Sequence, residues 1–330
     1  MSQHDPLRKN RLGLRGILLV SGGVLVASSI FFLPDTGLLP GSASTTDLAQ
    51  PSLTAASSEG TEGSSDAAVR KQGAAAGPAD ATQPLLPVYW LGEVEGTDRL
   101  FREYLVSPAG ATGDPISEAV QVMTEGQPLD PDYHSPWRPA SSVSSSISTK
   151  NVITLDISSD SVSKRLDEDE ARIALQQLVH TATAAAAHGG LIAGGEASSV
   201  VVLVDGAANH RAFGAVDLGG EWTRDPSALA PVWVIDPQEG VEHAAESLTI
   251  HGVGPASDDS LAWRIDRSVD GSAAGDTNLF RDGSVDISSQ DGVPGAYSFS
   301  VTLPPGQYEI TVSTPSGSGT AQDSKTITIR

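Results

Sequence analysis

The sequence predicts an α+β multidomain chain: an N-terminal transmembrane helix, a disordered linker, an α/β sandwich and an all-β sandwich. Three observations predict it. An uncharged apolar run lies near the N-terminus, two helix-period segments alternate with short apolar runs between residues 85 and 226, and strict two-residue alternation fills residues 230–330. The implied divisions are a basic tail at 1–15, a span at 16–33, a linker at 34–84, and the two folded regions.

A chain of 330 residues and 34.0 kDa has room for two folded domains and unstructured sequence besides. Asp and Glu number 41 against 20 Lys and Arg, for a formal net charge of -21. So acidic a surface repels phosphate backbones and argues against nucleic acid as a partner. There is no Cys, which excludes a disulfide framework, a thiolate zinc site, a Cys nucleophile and a lipid-modified cysteine anchor.

Arg8, Lys9, Arg11 and Arg15 stand against Asp5 in the first fifteen residues. The 18 residues Gly16–Leu33 carry no charge. As a helix they would extend about 27 Å, near the roughly 30 Å of a bilayer's hydrocarbon core. Basic residues ahead of the span orient it with the N-terminus in the cytoplasm, so the expected location is the cell membrane, single-pass, with the C-terminal domains extracytoplasmic. A cleaved signal peptide, giving a secreted protein, is the competing reading. Against it, the apolar stretch is longer than a signal core, and Gly41–Ser42–Ala43 is a distant cleavage site. From Gly41 to Pro84, 31 of 44 residues are Ala, Gly, Ser, Thr or Pro. That composition cannot bury enough apolar surface to offset its ordering entropy, and it reads as a flexible tether with a mean span of about 35–40 Å.

In the first folded region, Val88–Leu91 and Leu100–Val106 read as strands joined by a turn containing Gly92 and Gly96. Asp114 and Pro115 are N-cap and first residue of a helix with Ile116, Ala119, Val120 and Met123 on one face, stopped by Gly126. Residues 127–149 read as irregular. Val152–Ile157 is a strand with Ile153, Leu155 and Ile157 on one face. Asp167 and Glu170 form a capping box for a second helix whose buried stripe is Ile173, Leu175, Leu178, Val179, Ala182 and Ala186. Val200–Val204 reads as a central strand covered on both faces. Two helices on one mixed sheet is the expected architecture.

Val152–Ser158 (VITLDIS), Leu178–Thr183 (LVHTAT) and the run ending Asp205–Gly206, taken in this order after Pro87–Leu91 and the helix from Asp114, resemble the sporulation and spore-germination domain called GerMN. The resemblance covers roughly Leu85 to Arg224. It departs in a long loop from Gly189 to Ser199 and in a membrane span where many relatives carry a lipidated Cys.

In the last hundred residues, Leu261, Trp263 and Ile265 alternate with polar neighbours, as do Tyr297–Leu303 and Tyr308–Val312. Pro304–Pro305–Gly306 reads as a hairpin loop between the latter two. With Val232–Ile235, Leu248–Val253 and Ile327–Arg330 these make an antiparallel β-sandwich. Pro231–Pro237, Ser247–Gly252 (SLTIHG) and Gly295–Leu303 resemble the immunoglobulin-like domain of bacterial spore germination, which commonly accompanies GerMN.

No set of residues reads as catalytic, cofactor-binding or metal-binding. His180 and His188 lack an HExxH and any carboxylate at ligand spacing. Asp167–Glu170 lacks a calcium-loop pattern and suits a helix N-terminus. Asp266, Asp270, Asp276, Asp282 and Asp286 leave open a weak calcium site against a plainer reading as polar turns, with Asp282–Gly283 and Asp270–Gly271 as turn formers. No GxSxG or phosphate-binding loop occurs, and Ser141–Ser146 reads as a flexible loop. Trp90, Tyr104 and Trp137 are candidates for an interaction surface against a plainer reading as core. The resemblance implies a non-catalytic, membrane-tethered protein that mediates assembly in the cell envelope, by envelope partners or self-association, in sporulation, germination or envelope maintenance. A module binding cell-wall glycan or peptide is the alternative; a hydrolase would need a nucleophile–base pair that the sequence does not display.

Overall fold

The computed structural model describes residues 84–108, 113–193, 197–255, 260–269, 276–290, 293–315 and 320–330. The expected basic tail and membrane span, and the linker up to residue 83, lie outside the described residues. Among those described, no helix is long and apolar enough to cross a membrane.

The first region opens with an antiparallel hairpin, β1 (Leu85–Val94) and β2 (Thr97–Val106). Its turn is Glu95–Gly96, both at positive φ (52° and 77°), the two-residue geometry that matches strand twist. Gly92, expected in the turn, lies inside β1. A Cβ there would sit 2.8 Å from a Phe101 ring carbon and 3.0 Å from a Tyr133 ring carbon. Its bareness lets those two rings stack at 4.7 Å.

Helix α1 (Pro115–Glu125) has the predicted ends. The Asp114 carboxylate accepts from the main-chain N–H of Ile116 and Ser117, and Gly126 closes the helix at φ 69°. The stretch 127–149 is less irregular than its composition suggests. It holds β3 (Tyr133–His134), paired with β1, and β4 (Val143–Ile147), antiparallel to β5 (Val152–Ile157). The serine run is therefore largely strand: Ser145 Oγ anchors it to Asp114 at 2.8 Å, and exposed Ser144 and Ser146 face outward.

Helix α2 (Glu168–His188) begins with the predicted capping box. It packs against α1 and β1. Gln177 Nε2 donates to the Tyr89 carbonyl at 2.8 Å, and the Tyr89 N–H donates to Thr181 Oγ1 at 3.1 Å. Strand β6 (Ser199–Val204) runs parallel to β5, and a small hairpin follows, β7 (Arg211–Ala212) and β8 (Val216–Asp217).

The expected single mixed sheet is two three-stranded sheets, β2-β1-β3 and β4-β5-β6. The centre of the second is β5, while β6 is an edge strand whose far side is met at two points, where Val200 and Trp222 exchange N–H···O bonds of 2.8 Å and Val204 and Ala207 exchange bonds of 3.0 Å. Its continuous apolar run reflects side-chain packing rather than pairing on both edges. α1 touches β1 and β4, and α2 touches β1 and β6, so the helices join the two sheets in one core.

Among its described residues the second region has nine strands: β9 (Trp233–Asp236), β10 (Glu242–His243), β11 (Ser247–Gly254), β12 (Ser260–Ser268), β13 (Thr277–Asp286), β14 (Ser288–Gln290), β15 (Val293–Thr302), β16 (Gly306–Ser313) and β17 (Gln322–Ile329). They form two sheets, β14-β15-β11-β9 and β10-β17-β16-β12-β13, whose inner faces share one core. The sheets are antiparallel except where β10 runs parallel to β17.

The expected hairpin through Pro304–Gly306 is instead an arch, because β15 and β16 belong to different sheets. Two prolines supply no N–H to a ladder. The arch is fastened by the buried Tyr308, whose hydroxyl donates to the Pro304 carbonyl at 2.8 Å. Asp282–Gly283, expected as a turn, lies within β13. The Trp263 ring occupies the space a Gly283 side chain would fill, 2.5 Å from the Cβ position.

Candidate functional site

Strand β2 presents different chemistry on its two faces, as the two-residue period of a strand requires. Arg102 and Tyr104 lie on one face and Glu103 on the other. On the first, the Arg102 guanidinium carbon sits 5.3 Å from the Tyr104 ring centre, and the His188 ring at the end of α2 sits 5.7 Å from it on a tilted plane. Arg102 is half-buried and shares a hydrogen bond with the Tyr89 side chain, and its Nε has no partner. Among the described residues no carboxylate pairs with Arg102. His188 is exposed; burial of part of its ring, and then the Arg102 charge, lower its pKa. Two solvent-facing aliphatics, Leu85 (38% exposed) and Val106 (49%), pair across the strands at the same end of the hairpin. The patch thus brings together a cation, two aromatic rings and exposed aliphatic surface.

Of the three residues that the sequence nominated for a contact surface, Tyr104 alone reaches this position. Trp90 has no exposed surface and Trp137 only 6%; both belong to the first core. Trp137 is held there by an edge-on contact with Phe213 at 4.9 Å and an Nε1–H bond to the Ala174 carbonyl. Neither has a face to offer a partner. Arg102 and His188 complete the patch.

The other face of β2 closes onto the sandwich. Glu103 is buried and its carboxylate accepts the N–H groups of Leu129 and Asp130, each at 2.9 Å. Asp130 then meets Lys325 of β17, Nζ to Oδ2 2.5 Å, with both side chains nearly inaccessible (3% for Lys325). Lys325 also donates to the Tyr133 hydroxyl at 2.6 Å and reaches Asp323 at 3.3 Å. Tyr133 passes a hydrogen bond on to Asp323 at 2.8 Å, and the second Asp323 oxygen accepts the Val234 N–H at 2.7 Å. Burial raises the pKa of both Glu103 and Asp323. Burial opposes the Lys325 charge, but Asp323 and Asp130 outweigh it and hold the ammonium protonated. Around this cluster the apolar packing is continuous: Trp233 and Val253 of the sandwich belong to the first core. Sequence reading missed these residues, yet β17 carried a signal. Asp323 and Lys325 share a face with Ile327 and Ile329, two charges on an otherwise apolar stripe.

His180 is buried in α2, with Nε2 3.2 Å from the Asp225 carbonyl and its ring 5.2 Å from Tyr89. Burial and the Arg224 charge push its pKa down to about 3, so it is neutral, with Nε2–H donating. It is sealed from solvent and serves as a packing group. An open cleft of about 550 Å³ lies between the hairpin tip, the first half of α2 and residues 222–228. Glu93, Asp98, Asp167, Asp169, Glu170 and Asp225 outnumber Arg99 and Arg172 in it, a solvated acidic lining unlike the apolar walls of a small-molecule pocket. Among the described residues no three His, Asp or Glu groups are placed to hold a metal ion. In the sandwich, Asp266 is paired with Arg264 at 2.5 Å and Asp282 stands opposite the same arginine on β13, so both carboxylates lie around the Arg264 guanidinium; Asp270 lies outside the described residues.

Residues 87–210 match the family described as Germane, sporulation and spore germination. The chain carries a Germane, or GerMN, domain. The matched residues run from β1 to just before β7 and include Arg102, Glu103, Tyr104, Asp130 and His188. Among solved structures, the tandem GerMN domains of the sporulation protein GerM from Bacillus subtilis are similar at 20% identity and TM-score 0.34, over 47% of this chain and 51% of that one. The chain thus spans about half the length of that structure. An uncharacterized protein from Bacillus anthracis str. Ames is similar at 15% identity and TM-score 0.20, over 28% of this chain and 76% of that one. An engineered protein is similar at 11% identity and TM-score 0.25, over 48% and 36%. No curated protein matches the chain.

Proposed function

We infer that this is a non-catalytic protein tethered to the membrane, whose GerMN domain and sandwich stand outside the cytoplasm and mediate protein–protein assembly in the cell envelope, in sporulation, germination or envelope maintenance. The GerMN match over residues 87–210 supports the biological setting. The observation that carries the assembly reading is the Arg102–Tyr104–His188 stack beside exposed Leu85 and Val106. Such a patch has little to contribute to the fold and much to contribute to a contact. The sandwich fits the immunoglobulin-like reading: its order β14-β15-β11-β9 against β17-β16-β12-β13 corresponds to the two sheets of that fold, and Tyr308 makes a tyrosine corner at the sheet-to-sheet arch. Anchoring through residues 16–33, on a tether of residues 34–84, belongs to the same proposal.

A photo-crosslinking residue placed at Tyr104 in intact cells tests it. The expected result is a discrete protein adduct that an equivalent residue at Lys150 does not give. Adducts to wall glycan alone, or none at either position with a strictly monomeric chain, would remove the assembly reading.

A further inference from the structure

Helix α2 and the β1–β2 hairpin pack side by side, and both pass from the open cleft to the Arg102 patch. Their two ends differ in charge. At the cleft, six carboxylates stand against two guanidinium groups, and one of these, Arg172, is already taken by Glu168 of its own helix at 2.6 Å. At the other end Arg102 has no carboxylate among the described residues, and His188 stands beside it. The 21 residues of α2 separate the two ends by about 30 Å.

Arg102 is short of a counter-charge. Its side chain is half-buried, its Nε has no acceptor, and the Tyr104 ring and the Tyr89 side chain bring it no carboxylate. A carboxylate from a neighbour would supply one. The dipole of α2 accounts for acidic residues in its first turn, but not for Glu93 and Asp98 on the hairpin or Asp225 beyond β8. Nor does it account for the shape: the acidic lining is concave, about 550 Å³, while Leu85 and Val106 stand exposed at the patch. Ile173, Trp222 and Ala228 in the cleft wall give those aliphatic side chains an apolar floor.

We propose, resting on the assembly reading, that the Arg102 patch is occupied by the acidic cleft of a second copy of this chain, so that copies join end to end. The two surfaces are different, so the contact is heterologous: a joined pair still offers one patch and one cleft, and a third copy can add. The formal net charge of -21 on each copy opposes this only weakly, because at physiological salt charges more than about 8 Å apart are largely screened, and the close pairs decide.

The chain has no native Cys, so crosslinks can be placed cleanly in the full chain in its membrane. Thr97→Cys lies on the cleft and Val106→Cys on the patch, both exposed. They stand nine residues apart on one strand, about 30 Å, too far for a short bis-maleimide to link within one copy. A chain with both substitutions should give a ladder of dimer, trimer and higher species. Either substitution alone should give no link, and the two single variants together should give a dimer and nothing larger. Glu93→Lys with Asp169→Lys, both exposed cleft residues, should cut the ladder at least fivefold. Glu246→Lys with Asp286→Lys, the same charge change on the sandwich, should leave it intact. A link in Val106→Cys alone would mean that patch meets patch and would overturn the proposal. A ladder indifferent to Glu93→Lys with Asp169→Lys would overturn it too. No ladder, with a Tyr104 photo-adduct to a different protein, would strike the end-to-end contact and leave the assembly reading standing; no ladder and no adduct would remove both.

Discussion

The two faces of β2 make opposite use of the same strand. Glu103 turns inward and is satisfied by two main-chain donors, then by an ion cluster that reaches the sandwich. Arg102 and Tyr104, one residue to either side, turn away from that cluster and stack on each other and on His188 without a carboxylate. On the closed face the buried charges are met by one another and by main-chain donors, whereas on the open face Arg102 has no carboxylate partner among the described residues. A pleated strand can thus separate the residues that fix a structure from those left over for a contact, with no loop given over to either.

Breaking the closed face should have the largest effect. Lys325→Met leaves Asp130 and Asp323 buried without their cation, and the expected loss is about 3–5 kcal/mol in denaturant unfolding. Restoring balance with Asp130→Asn in the same chain should recover part of it, because the penalty belongs to the uncompensated charge rather than to the missing contact. If Lys325→Met unfolds within error of wild type, the cluster does not hold the two bodies together.

A smaller effect is expected one layer away. Gly92→Ala forces a methyl against the stacked rings of Phe101 and Tyr133, and Tyr133 carries the hydroxyl that Lys325 uses. The expected cost is about 1–3 kcal/mol, with the Tyr133 environment changed in near-ultraviolet circular dichroism. The open face should give the smallest change in stability. Tyr104→Ala removes a half-exposed ring and is expected to cost on the order of 1 kcal/mol or less in unfolding. A Tyr104→Ala chain as destabilised as Lys325→Met would mean that the open face is structural after all.

The helices were legible in the sequence because their ends are written locally. Asp114 with Pro115 and Gly126, and Asp167 with Glu170, act within one turn of themselves. The alternating strands β12, β15 and β16 were legible because one buried face imposes a period of two, whereas of β17 only the end, Ile327–Arg330, was read. Which strand lies beside which was not. Pro304–Gly306 has the composition of a hairpin loop but carries the chain between sheets, a choice made by long-range pairing and by Tyr308. β13 escaped notice because, but for Val285, its residues are exposed and leave no apolar stripe to read. Of the patch proposed for a contact, Tyr104 could be nominated by type. Its companion His188 arrives from α2, 84 positions later in the chain, and no spacing rule connects them. Trp90 and Trp137 show the cost of nominating by type alone, since large aromatics are what a core recruits first.

The grip of α2 on Tyr89 has a consequence for how this domain can vary. Gln177 and Thr181 take hold, respectively, of a carbonyl and an N–H, groups that nineteen of the twenty amino acids supply in the same form. Drift at position 89 is therefore cheap wherever the new side chain fits, proline excepted. The specificity of the seam rests on two unremarkable polar residues of the helix, and those are the positions that divergent copies of this domain should be slowest to change.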